Sequence, residues 1–153
     1  MSEAYDNKYG LDSSLPEVKS FHSNRRMFAI KDNKLYWSEP YMPFSFESTS
    51  DVAVSKEDED LVCIIDWGDQ IYMVSSEKWY RLQGTDPSTW AIKRTFADVG
   101  VVNKHTVKKT KYGILGLWND GIYLFDGSTS KSVTEKILGK KFFTDLADLS
   151  VCY

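Results

Sequence analysis

The chain has 153 residues, 42% of them hydrophobic and 14% aromatic, with a formal net charge of −3 and a pI near 5.4. That length supports one ordinary domain with its own core, and the acidic balance provides no overall basic field to attract a nucleic-acid backbone. Five Trp, nine Tyr and eight Phe suit strands better than a helical bundle, so the expected class is all-β.

Taken from the start, Met1 to Asp6 has no basic region followed by an apolar run, and nowhere do about 18 apolar residues stand together. The expectation is a chain with no signal peptide and no transmembrane segment. Val18 to His22 reads as a strand. Met27 to Trp37 then reads as apolar strand, polar turn at Asp32-Asn33 and apolar strand, because Asp and Asn tolerate the positive φ of a tight hairpin. Beyond it, Pro43, Ser45 and Phe46 stand where a fourth, outer strand is expected to begin. The polar stretch from Ser48-Thr49-Ser50-Asp51 to Glu57-Asp58-Glu59-Asp60 reads as a connection.

The same order recurs. Val62 to Asp66 is a second leading strand, with Cys63 in its apolar run, and Ile71 to Arg81 a second hairpin whose turn, Ser76-Glu77, is the weakest match. Pro87, Thr89 and Trp90 fall on Pro43, Ser45 and Phe46, and Asp98-Val99-Gly100 is a loop. His105 to Lys109 is a third leading strand, Ile114 to Leu124 a third hairpin turning at Asn119-Asp120-Gly121, and Gly127 to Ser130 a loop. Phe143, Leu146 and Leu149 after Thr144-Asp145 predict one short helix near the C-terminus. Asp148 to Tyr153, with Cys152, stands where a strand before a fourth hairpin belongs. Both cysteines are expected as reduced thiols in strands.

Met27, Ile71 and Ile114 align without gaps at spacings of 44 and then 43 residues, which brings Tyr36, Tyr80 and Tyr123 into register. A fixed period in the forties is the length of one four-stranded propeller blade. The repeats are bounded at about 17–48, 61–93 and 104–137, with a partial fourth at 148–153, all within one domain spanning 1–153. The strands that open each hairpin are apolar on consecutive positions, which predicts that both faces of each sheet are covered. Three such units do not close a ring, so the expectation is an incomplete propeller: in the first place a piece of a longer protein, and otherwise a ring closed by another chain or by the N-terminal arm, or an open arrangement.

Three motifs carry a family resemblance: Lys34-Leu35-Tyr36-Trp37-Ser38-Glu39-Pro40 has the pattern x-L-Y-x-S-x-P, Tyr80 to Pro87 the pattern Y-x-L-x-G-x-D-P, and Asp120 to Gly127 the pattern D-G-I-Y-x-F-D-G. In this order they resemble bacteriophage virion β-propeller proteins, including the phage stabilisation, head-to-tail adaptor type, over roughly residues 24–153. The resemblance implies a non-enzymatic structural protein of the particle, located in the virion and, during assembly, in the host cytoplasm. Its implied partners are other virion proteins or copies of itself.

Chemistry-bearing residues are sparse. His22 and His105 have no ligand at metal spacing, and no Walker-type, Gly-x-Ser-x-Gly, His-Glu-x-x-His or Cys-x-x-Cys pattern occurs, so no catalytic, cofactor-binding or metal residue is assigned and no small-molecule substrate is identified. Lys56 to Asp60 gathers four carboxylates without the glycine and spacing of a calcium loop and reads as a solvated turn. Asp66-Trp67-Gly68-Asp69 reads as a hairpin turn. Lys108, Lys109 and Lys111, with Lys136, Lys140 and Lys141, read as a charged edge that discourages strand addition; nucleic-acid contact through them is open but unsupported. Tyr36, Trp37, Trp79, Tyr80, Trp90, Tyr123 and Phe125 stand at repeat positions, Tyr36, Tyr80 and Tyr123 at the same one, and are expected to pack between blades. The alternative is a lectin-like module stacking sugars on these aromatics beside Asp66, Asp86 and Asp126, and a two-carboxylate hydrolase stands last.

Overall fold

A computed structural model describes residues 17–21 and 25–135. Within them the backbone forms three four-stranded antiparallel sheets, one after another along the chain, with no α-helix and one 3-10 turn at Lys104–Thr106. The first sheet contains β1 (Glu17–Phe21), β2 (Arg26–Lys31), β3 (Lys34–Trp37) and β4 (Asp51–Ala53). The second contains β5 (Leu61–Trp67), β6 (Gln70–Ser75), β7 (Trp79–Gln83) and β8 (Ala91–Arg94). The third contains β9 (Lys108–Thr110), β10 (Gly113–Trp118), β11 (Gly121–Phe125) and β12 (Ser130–Ser132). Every strand pairs with its neighbour in sequence, and none of these sheets closes into a barrel.

The repeat seen in the sequence is also a repeat of register. Tyr36 lies opposite Ala29, Tyr80 opposite Met73 and Tyr123 opposite Gly116, and in each sheet those partners occupy the same position of the gapless alignment. The three central hairpins each turn in two residues, by different means. Asp32 supplies a positive φ of 51° in the first. In the second the Ser75 hydroxyl accepts the backbone N–H groups of Glu77 (3.2 Å) and Lys78 (2.9 Å), closing a turn that lacks Gly, Asn or Asp. The turn at Gly68-Asp69, between β5 and β6, takes positive φ at both residues, 57° and 59°, as a tight hairpin requires.

Alternation of side chains along each strand sends apolar residues to both sides of the sheets. On β6, Ile71 and Met73 pack with Phe28, Ile30 and Leu35 of the first sheet, while Tyr72 and Val74 pack with Ile114 and Phe125 of the third. The middle sheet is therefore covered on both faces, and the described residues form two cores, one on each side of it. A bulge between Leu61 and Cys63 restores this partition on β5: it puts Leu61 with Ile64 in the first core, and leaves Cys63 and Ile65 in the second. Cys63 is buried in the second core.

Polar groups tie the sheets together where side chains alone would leave seams. Three indole N–H groups bond across the second core: Trp67 to the Thr110 carbonyl (2.9 Å), Trp79 to that of Val99 (2.9 Å) and Trp118 to that of Ser76 (2.7 Å). Lys109 Nζ meets Asp66 at 2.9 Å, two residues that occupy the same position in neighbouring repeats. On the other side Leu61 N–H donates to Asp32 (2.8 Å) and Val54 N–H to Asn33 (2.8 Å), so the connection 54–60 is sewn to the first hairpin.

Four local expectations need correction. The fourth strand of the first sheet does not begin near Phe46 but at Asp51, inside a stretch read as a connection, because the loop 38–50 is longer than its counterpart 84–90 and Phe46 is buried as a loop anchor. The third leading strand is shorter than read, because the Asn103 side chain accepts His105 N–H and caps a 3-10 turn that takes up Lys104–Thr106. Ser130, read as loop, opens β12. The acidic run is not uniformly solvated, since Glu59 turns inward. His22, Cys152, the predicted helix over 143–149, the partial repeat 148–153 and Lys136, Lys140 and Lys141 lie outside the described residues.

Candidate functional site

Following the equivalent positions through the repeats isolates one surface. In the first sheet Phe28, Ile30, Leu35 and Trp37 face the second, and in the second sheet Tyr72, Val74 and Trp79 face the third. The corresponding residues of the third sheet are Leu115, Leu117, Ile122 and Leu124. Leu115 pairs with Leu124 and Leu117 with Ile122, which sets the four side chains on one face of the β10–β11 hairpin. Phe28, Ile30, Leu35, Val74 and Trp79 are nearly or wholly inaccessible, whereas all four residues on the third sheet are partly exposed. Among the described residues no fourth sheet lies against them.

The repeat is aliphatic at these four positions although no neighbouring sheet covers them among the described residues. The rear of this face is rigid: Ile114 and Phe125 are buried, Trp79 stacks on Phe125 at 4.2 Å between ring centres, and Tyr72 meets the same ring edge-on at 5.3 Å.

The aromatic residues singled out by the sequence divide. Trp79, Tyr80 and Phe125 are buried in the cores, and Trp37 and Trp90 meet edge-on at 4.9 Å. Tyr36 and Tyr123 are half-buried, and Tyr123 donates its hydroxyl proton to Asp120 at 2.8 Å. Burial, then the bond to that carboxylate, pushes the Tyr123 phenol up to about 12. The carboxylates that the lectin-like reading would use each serve the fold locally. Asp66 pairs with Lys109, Asp86 accepts Ser88 N–H (3.0 Å), and Asp126 accepts Ser128 N–H (3.0 Å) and Thr129 N–H (2.9 Å). The Ser88 hydroxyl, which donates to Asp86, and then the backbone bonds hold the Asp86 carboxyl below the usual carboxylate range, and the Thr129 and Ser128 N–H groups do the same for Asp126. His105 is exposed on its 3-10 turn. A cleft of about 240 Å³ lies between β5 and the segment 104–109, lined by Asp66, Lys104, Lys108 and Lys109 among others.

Sequence reasoning missed Glu59. Its carboxylate accepts the Ser75 hydroxyl, Lys78 Nζ at 3.2 Å and the Tyr80 hydroxyl at 3.1 Å, joining the connection 54–60 to the second hairpin. Nothing in a run of five charged residues signals which one turns inward. Burial opposes ionisation, but the bonds from Ser75, Lys78 and Tyr80 and the lysine charge outweigh it and hold the Glu59 carboxyl below its ordinary value. The linkage sign follows: a depressed folded-state pKa contributes stability that is present above the unfolded value near 4.3 and lost as pH falls through the folded one. Urea unfolding at pH 7 and pH 3 is therefore expected to show an acid loss in the wild type that is smaller in Glu59→Gln. An equal acid loss in both would remove Glu59 as its source.

Compared with known proteins, the chain matches no protein-family model and no curated protein.

Proposed function

We propose that the three sheets are adjacent blades of the β-propeller kind and that the chain is a non-enzymatic structural protein of a bacteriophage particle, assembling with copies of itself or with other virion proteins. The observation that carries the assembly role is the partly exposed face Leu115, Leu117, Ile122 and Leu124, the third instance of a surface whose first two instances pack against another sheet. Support for the phage setting is the ordered set of motifs at 34–40, 80–87 and 120–127. Two of those motifs have a visible structural use. In 34–40, Ser38 is fully buried and its hydroxyl accepts Met27 N–H at 2.8 Å, which fastens the end of β3 to β2. In 120–127, Asp126 shapes the turn into β12.

Such a face works by excluding water from aliphatic side chains, so the association it drives is weakened by a charge placed in its centre. Sedimentation velocity of the wild type is expected to show species heavier than the 17.6 kDa chain, and Leu117→Lys is expected to shift them to the monomer. A wild type that stays monomeric and binds no virion protein would overturn the proposal.

A further inference from the structure

Basic residues are concentrated in one part of an acidic chain. Between Asp98 and Asp120 there is no Asp or Glu, and the interval carries Lys104, His105, Lys108, Lys109 and Lys111, all exposed. The fold sets this run against β5. In the cleft of about 240 Å³ between them, Cys63, Ile64, Ile65 and Val107 form an apolar floor, and Lys104, Lys108, Lys109 and Asp66 form the rim. One carboxylate thus stands among three ammonium groups. It meets Lys109 Nζ at 2.9 Å with both side chains about half exposed, so the pair is loosely held and the rim keeps a positive surplus. Charge of one sign over a floor of low dielectric focuses its field into the cleft and draws anions there. The residues outside the described part carry five acidic side chains against four lysines, almost no negative surplus with which to cover it.

Tyr112 stands at the end of the same run. It is 70% exposed in the turn from β9 to β10, its N–H donates to Thr110 Oγ1 at 3.2 Å, and Lys111 Nζ lies 4.7 Å from the centre of its ring. A row of lysines that ends in an aromatic ring held in water fits a flexible chain of phosphates bearing planar bases, because the charges hold the backbone and the ring stacks a base. The cleft has room for the phosphate and sugar of one strand and is too small for a duplex.

We propose that the cleft between β5 and the segment 104–109, with Tyr112 at its end, binds the sugar-phosphate backbone of a single-stranded nucleic acid. Lys104, Lys108 and Lys109 neutralise phosphates and Tyr112 stacks on a base. Asp66 weakens the binding, by repelling the backbone and by holding Lys109. Phosphate contacts and stacking carry no base identity, so the binding is independent of sequence. This function is separate from the assembly role and does not rest on it.

Fluorescence anisotropy of the full chain with a labelled oligothymidylate of about 12 nucleotides tests this. At low salt the wild type is expected to bind with a dissociation constant of about 1–100 μM, and log K to fall against log salt with a slope near −2, about −0.7 for each of three lysines. Lys104→Gln/Lys108→Gln is expected to lose at least about tenfold and to flatten the slope to about −0.7. Tyr112→Ala is expected to lose about fivefold with the slope unchanged. Asp66→Asn is expected to gain about threefold, a result that damage to the fold does not produce, and thermal unfolding checks that every variant is folded. A wild type that does not bind at low salt, or lysine variants that bind as well as the wild type, would overturn the inference. Polyglutamate that binds as tightly as the oligonucleotide overturns it in favour of an acidic protein surface. Inorganic phosphate that raises the melting temperature while the oligonucleotide stays unbound overturns it in favour of a small anion.

Discussion

Replacing Trp79 by alanine is expected to lower the free energy of unfolding by about 4 kcal/mol, a substantial part of the roughly 5–15 kcal/mol that holds a domain of this size. Trp79 is 2% exposed, stacks on Phe125 at 4.2 Å with the rings 10° from parallel, and donates its indole N–H to Val99 at 2.9 Å. Truncation therefore opens a cavity between the second and third sheets and takes the indole donor from the Val99 carbonyl. Urea titration followed by tryptophan fluorescence measures the loss, and Trp79→Phe should recover the stacking part but not the hydrogen bond. If Trp79→Ala costs less than about 1 kcal/mol, the two sheets do not share a packed core at this residue.

The second large effect is expected at Gly100. A Cβ there would lie 2.1 Å from the Ser75 carbonyl oxygen, 2.4 Å from the Ser76 carbonyl carbon and 2.5 Å from the Glu77 nitrogen. All three are backbone atoms of the second hairpin turn, which is itself held by the Ser75 hydroxyl, so no rotamer change relieves the clash. Gly100→Ala is expected to cost about 3 kcal/mol, the upper end for overpacking. Gly68→Ala is a useful contrast, because there the added methyl meets open space and the cost is only that of φ at +57°, about 1 kcal/mol. Equal melting temperatures for the two variants would mean that the 95–107 connection does not press against the hairpin turn.

Much of this architecture can be read from the chain because the repeat acts on backbone register. An apolar residue at each of Ile71, Tyr72, Met73 and Val74 says that both faces of β6 are covered, and the two cores on either side of it are the physical expression of that run. The two-residue turn at Asp32-Asn33 follows from residue type alone. The turn at Ser76-Glu77 does not, since its stabilising group is the hydroxyl of Ser75, one position outside the turn.

Other features are illegible for reasons that are also physical. A gapless alignment of Pro43 with Pro87 conceals the extra length of 38–50, because prolines mark an edge and not a distance. Glu59 is chemically indistinguishable from Glu57 in sequence, and only the approach of Ser75, Lys78 and Tyr80 selects it. The partial exposure of Leu117 is likewise hidden. Ile30, Val74 and Leu117 are all aliphatic at one repeat position, and what separates them is whether a neighbouring sheet is there to cover them.

One set of measurements tests that difference directly: the thermal stability of Ile30→Glu, Val74→Glu and Leu117→Glu, the same substitution at the same position of three successive repeats. Ile30 and Val74 are fully buried between sheets, so a carboxylate at either is expected to abolish cooperative unfolding at neutral pH. Leu117→Glu is expected to unfold cooperatively within a few degrees of the wild type. If Leu117→Glu is as disrupted as the other two, the third face is a closed core surface and the assembly role assigned to it is wrong.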